Sequence, residues 1–458
     1  MSLTVENYQI LQASKEANTE LSHNYHTVDL RTATLSTISA NEMLLALNID
    51  RSGSMADKAA DGHNSLQHTI HTTKNIIHFL GELKEENPAL NINLLVNAFD
   101  DKNTTIGHLE IGDKTTDEYL ERLEKLKPRG TTNIGEAFKK IKDDAIWMAT
   151  PVDKRAHILM TDGQPTAGKT SAEGIVEHSP GGKQIMIGYG VGHDAKLLQK
   201  MAELTNGSSH FVDNIENAGM VYGEIIHGLL YSAVKDVEVA VTGAEVYDFT
   251  KNEWTTSVRF SCFASEHTQT LLLRSSWDSV EVVSIIMGYT DLTHKSYYSN
   301  TDVFNSYNCT GKSKQRDRNV GVEKQMFRQK VLDALFRVGG SILEEELVKL
   351  RASLEEFMSK NKLEDDTFMQ KLVTDVYVAY TSVLFPINAA AFIGARLSSQ
   401  GNQQAYDIND FDGLTNNLAT SIFGSQMQTI PAIKSLRQTS CYATPTQTMV
   451  MRSCSTSL

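Results

Sequence analysis

MLLALNI (43–49), followed at once by Asp50-Arg51-Ser52-Gly53-Ser54-Met55, is the stretch on which the fold of this chain turns. The first seven residues are apolar except for Asn48. A short run of that kind, bounded by polar sequence, predicts a strand buried on both faces, as in a parallel sheet. The loop behind it offers one carboxylate and two hydroxyls at alternate positions. Oxygens two residues apart in a loop can converge on one cation, and Gly53 is expected to allow the sharp turn.

Working outward, the same strand-and-loop grammar repeats. Helical spacing of Ile70, Ile76, Ile77, Leu80 and Leu83 predicts a helix over 64–86, ended before Pro88. INLLVNAF (92–99) and TTIGHLEI (104–111) read as two strands joined by the short turn Asp100-Asp101-Lys102-Asn103, which suggests one antiparallel edge. Helices are expected over 116–126 and 134–148, a strand at AHILMT (156–161), another at QIMIGYGV (184–191), a helix at 194–205, a short strand at SHFV (209–212) and a closing helix over 214–235. Strands alternating with helices predict a doubly wound, mostly parallel sheet with helices on both faces, a Rossmann-like arrangement. Ligands of such sheets sit beyond the carboxyl ends of the strands.

After Lys235 the texture changes. VEVAVTG (237–243), WTTSVRFSCFA (254–264), TQTLLLRSS (268–276) and VEVVSIIMGY (280–289) are rich in β-formers with no helices between them, which predicts an antiparallel sandwich. YHTVDLRTATLS (25–36) has the same character. The expected organisation is therefore residues 1–40 as strands pairing with a sandwich at 236–310, an α/β domain at 41–235 inserted between them, a helical region at 321–395, and a polar tail at 396–458 expected to be mobile.

Bulk composition narrows the function. A chain of 458 residues exceeds one core, and 40% hydrophobic with 22% charged residues is ordinary for a globular protein. The net charge of −13 argues against nucleic-acid binding. No apolar run of about 18 residues occurs, so no membrane insertion is expected. The N-terminal segment lacks the basic start and apolar stretch of a secretory signal, and Cys262, Cys309, Cys441 and Cys454 form no CxxC pair. Reduced thiols in an intracellular, cytoplasmic setting are expected, with no structural zinc.

Three clusters carry the chemistry. The first is the 50–55 loop. The second, Gly130-Thr131-Thr132-Asn133-Ile134, precedes a helix and offers a hydroxyl from Thr132 or its neighbour Thr131, with Thr132 preferred because it precedes the Asn-Ile that opens the helix. The third, Thr161-Asp162-Gly163, ends a strand and adds a second carboxylate, with Gly163 shaping the loop. Asp50, Ser52, Ser54, Thr132 and Asp162 are all hard oxygen donors. That set suits Mg2+, or Mn2+ or Ca2+, rather than zinc or copper. Two carboxylates leave such an ion incompletely neutralised and attractive to an Asp or Glu of a protein partner.

These segments together resemble the von Willebrand factor type A (vWA) domain. DRSGSM resembles its DxSxS motif, RGTTNIGEAF its threonine loop, HILMTDGQPT its aspartate strand, and QIMIGYGVGHDAKLLQKMAELTNGSSHFV its last strand, helix and strand. The resemblance spans about 41–235. It implies a metal-ion-dependent adhesion site in which Ser52, Ser54 and Thr132 coordinate directly, while Asp50 and Asp162 act through water. It implies a binding module with an adaptor or assembly role and no catalytic residues. The β-rich and helical segments that follow are similar to the accessory region of some intracellular eukaryotic members.

Two competing patterns need weighing. Gly163-Gln-Pro-Thr-Ala-Gly168-Lys169-Thr170 satisfies the phosphate-loop formula and would make the protein a nucleotide-binding enzyme or metal-dependent hydrolase. Against it, the helix that should follow is short, and Pro165 removes an amide. His63, His68, His71 and His78 are better explained as the solvated side of the 64–86 helix than as metal ligands. No Ser-His-Asp arrangement is recognisable.

Overall fold

The computed structural model describes residues 3–11, 23–35, 38, 42–58, 62–189, 193–212, 218–276, 282–291, 295–304, 319–384, 389–406 and 440–455. The chain divides into two compact units: Met1–Ser39 with Gly228–Gln403, and Ala40–His227 with Gln404–Leu458.

In chain order, β1 (Leu3–Leu11) and β2 (His23–Thr32) come first. The α/β unit then runs β3 (Glu42–Asp50), α1 (Ser65–Glu86), β4 (Asn91–Phe99), β5 (Asn103–Glu110), α2 (Thr116–Glu124), α3 (Ile134–Lys142), α4 (Ala145–Ala149), β6 (Arg155–Thr161), α5 (Ala172–Val176), β7 (Lys183–Tyr189), α6 (Ala195–Leu204), β8 (Ser208–Val212) and α7 (Ala218–Leu230). There follow β9 (Ser232–Thr242), β10 (Glu245–Asp248), β11 (Glu253–Thr255), β12 (Ser257–Ala264), β13 (Thr268–Ser276), β14 (Val283–Asp291) and β15 (Ser296–Phe304). The helices α8 (Val320–Arg337), α9 (Glu344–Asn361), α10 (Thr367–Leu384), α11 (Ala389–Asn402) and α12 (Pro445–Ser453) complete the described elements.

The α/β sheet has the order β5-β4-β3-β6-β7-β8. Only β5 is antiparallel, at the edge, as the hairpin-like spacing predicts. Every residue of β6 is buried, which is why the central strands carry continuous apolar runs. Parallel register sets Asp50 beside Phe99 and Ile49 beside Met160, so the carboxyl ends of β3, β4 and β6 finish on one level. The core also holds a polar rung. Asn48 Nδ2 donates to His157 Nε2 at 2.8 Å, and His157 Nδ1 donates to Gln184 Oε1 at 2.8 Å, linking β3, β6 and β7. Burial pushes the His157 pKa down to about 4.

Several expectations are corrected. The single helix expected over 134–148 is two, because Asp144 accepts hydrogen bonds from Ile146 N and Trp147 N and starts a new turn. The closing helix ends at Leu230, and residues 232–235 open β9 instead, ahead of the alternating buried Val237, Val239 and Val241; the expected helix start at 214–217 lies outside the described residues. His68 is not on a solvated face. It is buried on the wide inner arc of α1, with the His63 ring edge-on at 5.9 Å. Residues 190–192, the expected end of the strand at 184–191, lie outside the described residues.

The expected mobile tail is also corrected in part. Residues 389–402 continue as helix, and α12 packs on α7. A Cβ on Gly219 would stand 2.1 Å from Cys454 O, and one on Gly223 would stand 2.4 Å from Met451 Cα, so two glycines let the backbones touch. Val450, Met451 and Cys454 are buried there. Glu224 accepts from Ala405 N and Tyr406 N at 2.8 and 3.0 Å, tying down the chain leaving α11. Residues 407–439 and 456–458 lie outside the described residues.

The other unit pairs two antiparallel sheets, β1-β2-β13-β10-β11 and β12-β9-β14-β15. The N-terminal β2 lies along β13 from Thr268↔Arg31 to Ser276↔His23. Val28, Leu30, Leu271 and Leu273 of one sheet share a core with Val237, Val239, Ile285 and Met287 of the other. Helices α8 to α11 form its helical part, where Arg396 and Gln400 meet buried Asp375 at 3.3 and 2.6 Å. The basic cluster Lys312, Lys314, Arg316 and Arg318, and Cys309, lie outside the described residues.

Candidate functional site

Three loops meet at the carboxyl edge of the α/β sheet, and each is held there by a specific bond. Asp50 ends β3. Its Oδ1 accepts from Ser52 N at 2.7 Å, and its Oδ2 accepts from Thr161 Oγ1 at 2.6 Å, at the end of neighbouring β6. Residues Gly53–Ala56 then wind one tight turn. Ser52 Oγ and Ser54 Oγ lie 3.1 Å apart, and Ser54 Oγ donates to Asp162 Oδ1 at 2.7 Å. Four of the five expected donors therefore form one continuous chain of contacts.

Thr132, the fifth, is buried and joins through Gly163. A Cβ at position 163 would sit 3.5 Å from Thr132 Oγ1 and 3.6 Å from Ser54 Oγ. Gly163 thus leaves open a space bordered by both hydroxyls, which any side chain would enter. Gly53 acts differently from the expectation. Its φ is not left-handed, and a Cβ there would stand 3.4 Å from Gly130 O, an ordinary contact; what the residue supplies is its amide, Gly53 N donating to Gly130 O at 3.1 Å. The left-handed residue is Gly130, at φ +71°.

The electrostatics favour an added cation. Burial raises the Asp50 pKa to about 6 against the bonds from Thr161 and Ser52, with Asp162 adding to the rise. Asp162 is raised too, first by burial and also by Asp57. The one basic side chain of the first loop does not neutralise them: Arg51 faces Asp100, with Nε 2.9 Å from Oδ2, and donates to Thr104 Oγ1 at 2.7 Å. Two partly desolvated carboxylates and three hydroxyl oxygens beside an open space fit a hard divalent ion. Among the described residues no group of three or more His, Cys, Asp or Glu is placed to hold a metal, and the expected set here counts only two carboxylates beside its three hydroxyls.

The brace behind the site is Asp100, which the sequence reading passes over as part of a turn. It is fully buried and accepts from Arg129 Nε at 2.6 Å and Lys102 N at 2.8 Å, besides pairing with Arg51. Burial opposes its charge, but these bonds outweigh it and hold its pKa below the usual carboxylate range. Arg129 N also donates to Arg51 O at 2.7 Å, and Asn133 N to Asp100 O at 2.9 Å. Loops one and two are therefore clamped to the end of β4. The available signal was the register: Asp100 follows the residue level with Asp50.

The phosphate-loop pattern takes another form. Thr166 N and Ala167 N both donate to Thr132 O, at 3.0 and 3.2 Å, and Thr132 N donates to Thr166 Oγ1 at 2.9 Å. A phosphate cradle needs such amides unspent. Lys169 is turned to Glu177 at 3.4 Å on the surface, and the following helix is only five residues. The segment wraps Thr132 rather than an anion.

Fold and site define a class: a doubly wound α/β domain with an oxygen-lined loop cluster at the carboxyl edge of its sheet. Within it, residues 62–211 match the von Willebrand factor type A domain family. The match covers Thr132 and Asp162 and begins after the 50–55 loop. No curated protein matches the chain. Among solved structures, a von Willebrand factor type A protein from Catenulispora acidiphila is similar with 14% identity, covering 82% of this chain and 88% of its own, at a TM-score of 0.49. The ArnB paralog VWA2 from Sulfolobus acidocaldarius gives 12% identity, 87% and 97% coverage and a TM-score of 0.47. Proximal thread matrix protein 1 of the mussel byssus, with a zinc-occupied MIDAS motif, gives 17%, 46% and 50%, and 0.34.

Proposed function

We propose that the α/β unit is a divalent-cation-dependent protein-binding module with an adaptor or assembly role and no catalytic activity. Ser52, Ser54 and Thr132, with Asp50 and Asp162, hold the ion, and Mg2+ is the expected occupant, with Mn2+ or Ca2+ as alternatives. A bound ion would offer a coordination position to an Asp or Glu of a protein partner. The chain's own residues do the rest: Thr161 and Ser52 N orient Asp50, Ser54 orients Asp162, and Gly163 keeps the space open.

The observation that carries this reading is the open space at Gly163 bordered by two hydroxyls, next to two carboxylates that burial leaves short of positive charge. No described helix is long and apolar enough to cross a membrane. An intracellular place of action is part of the same reading.

The test is Mn2+ binding followed by electron paramagnetic resonance, then partner capture in Mg2+ against EDTA with Asp50→Ala as control. Ser54→Ala should weaken Mn2+ binding by about tenfold or more. Equal Mn2+ binding by wild type and Ser54→Ala removes the reading. Mg2+-dependent ATP binding lost in Lys169→Ala would favour the nucleotide alternative.

A further inference from the structure

Among the described residues, Arg129 is a basic side chain that the structure ties directly to the candidate-site loops and still presents to solvent. Its backbone is fixed beside the 50–55 loop by the bond to Arg51 O, and the next residue holds Gly53 N. Its side chain is 56% exposed although its Nε edge is docked on fully buried Asp100. The Nε contact fixes one edge of the planar guanidinium while more than half of the side chain stays exposed. Arg51 cannot take this part, being buried against Asp100 and Thr104. Lys169 cannot either, since its ammonium turns to Glu177. Asp101, exposed next door, sets a local competitor that a stronger anion must displace.

We propose that Arg129 is the specificity-determining residue of the site, and that it receives a second carboxylate of the partner. The preferred partner segment is then doubly acidic: one Asp or Glu for the cation, and another a residue or two away for the guanidinium. A guanidinium held by one edge has little freedom left to lose, and it favours carboxylate over neutral acceptors. This inference rests on the metal-dependent reading above and names the partner chemistry for it.

The experiment uses the full chain with Mn2+ and two immobilised probes, the peptides Gly-Gly-Asp-Gly-Gly and Gly-Gly-Asp-Glu-Gly, read by biolayer interferometry with and without EDTA. Wild type should prefer the doubly acidic peptide by about five- to tenfold. Arg129→Gln should bring that ratio close to one, and Arg129→Lys should leave part of it. Lys169→Gln should keep the wild-type ratio. An unchanged ratio in Arg129→Gln, with binding still abolished by EDTA, overturns the Arg129 assignment and leaves the metal reading standing. Binding of both peptides that ignores EDTA overturns both. Melting curves of Arg129→Gln and Arg129→Lys identify any loss caused by unfolding, and the lysine variant then decides.

Discussion

Replacing Asp100 with Ala should be the most damaging single change near the site that touches no expected metal donor. The magnitude follows from three bonds. Arg51 is 8% exposed and Asp100 is 0%, so the substitution leaves a buried guanidinium without its partner carboxylate. Breaking a buried pair on one side costs about 3–5 kcal/mol. Loss of the Lys102 N bond adds about 1 kcal/mol, and solvent screens the exposed Arg129 pair. Arg51 can swing partly into water, which trims the first figure, so about 4 kcal/mol is expected. Asp100→Asn keeps an acceptor for Lys102 N and should cost about half as much. Asp100→Leu combined with Arg51→Met removes both charges and should recover most of the loss. The assay is urea unfolding followed by Trp147, which is fully buried in the α/β unit, in a background where Trp254 and Trp277 are Phe. If Asp100→Ala falls within about 1 kcal/mol of its parent, the three loops do not depend on this brace and the reasoning fails.

Three other outcomes follow from particular contacts. His157 has a folded pKa of about 4 against an ordinary 6.5, so its contribution to stability is complete above pH 6.5 and declines as the pH falls toward 4; between pH 7.5 and 5 the decline should be about 2 kcal/mol, and a His157→Asn chain should show a pH slope shallower by that amount in urea titrations. Gly223→Ala should drive α12 away from α7, so that Cys454, buried and with its thiol pushed up to about 12, reacts with a disulfide reagent at least about tenfold faster while exposed Cys441 is unaffected; an unchanged Cys454 rate would contradict the packing. Gly168→Ala combines a left-handed φ of +71° with a Cβ 2.4 Å from Asn133 Oδ1, the cap of α3, and should lower stability by about 1–3 kcal/mol in thermal melts.

What the sequence made legible depended on range. Buried parallel strands announce themselves because both faces are apolar, so β3, β4 and β6 are readable from MLLALNI, INLLVNAF and AHILMT alone. The proposed donors Asp50, Ser52 and Ser54 lie in one loop, and the structure brings their oxygens near Asp162. Asp162 sits just past β6, where strand ends predict it. The break at Asp143 and Asp144 was hidden because the apolar spacing continues through it while a single aspartate captures two amides. The docking of α12 was hidden for the opposite reason. A nine-residue helix with few bulky apolar groups looks like tail, and its attachment comes from two glycines on α7 that have no side chains to signal it.

The Asp100 brace marks the boundary between these cases. Its residues are ordinary charges in polar turns, where isolated ion pairs contribute little. They matter because β4 ends level with β3, which delivers Asp100 into the gap between Arg51 and Arg129 and seals it from water. The expected donors supply the oxygens, but burying two acids at the end of a sheet is costly, as the pKa values of Asp50 and Asp162, raised first by burial, record. Something outside the donor set must therefore hold the loops in place before an ion arrives. Asp100 is suited to that task because it also commits the Arg51 guanidinium, the one basic group of the first loop, to a carboxylate outside the donor set. The same residue that steadies the loops thus keeps the oxygen cluster negative, and stability and cation affinity should fail together in Asp100→Ala.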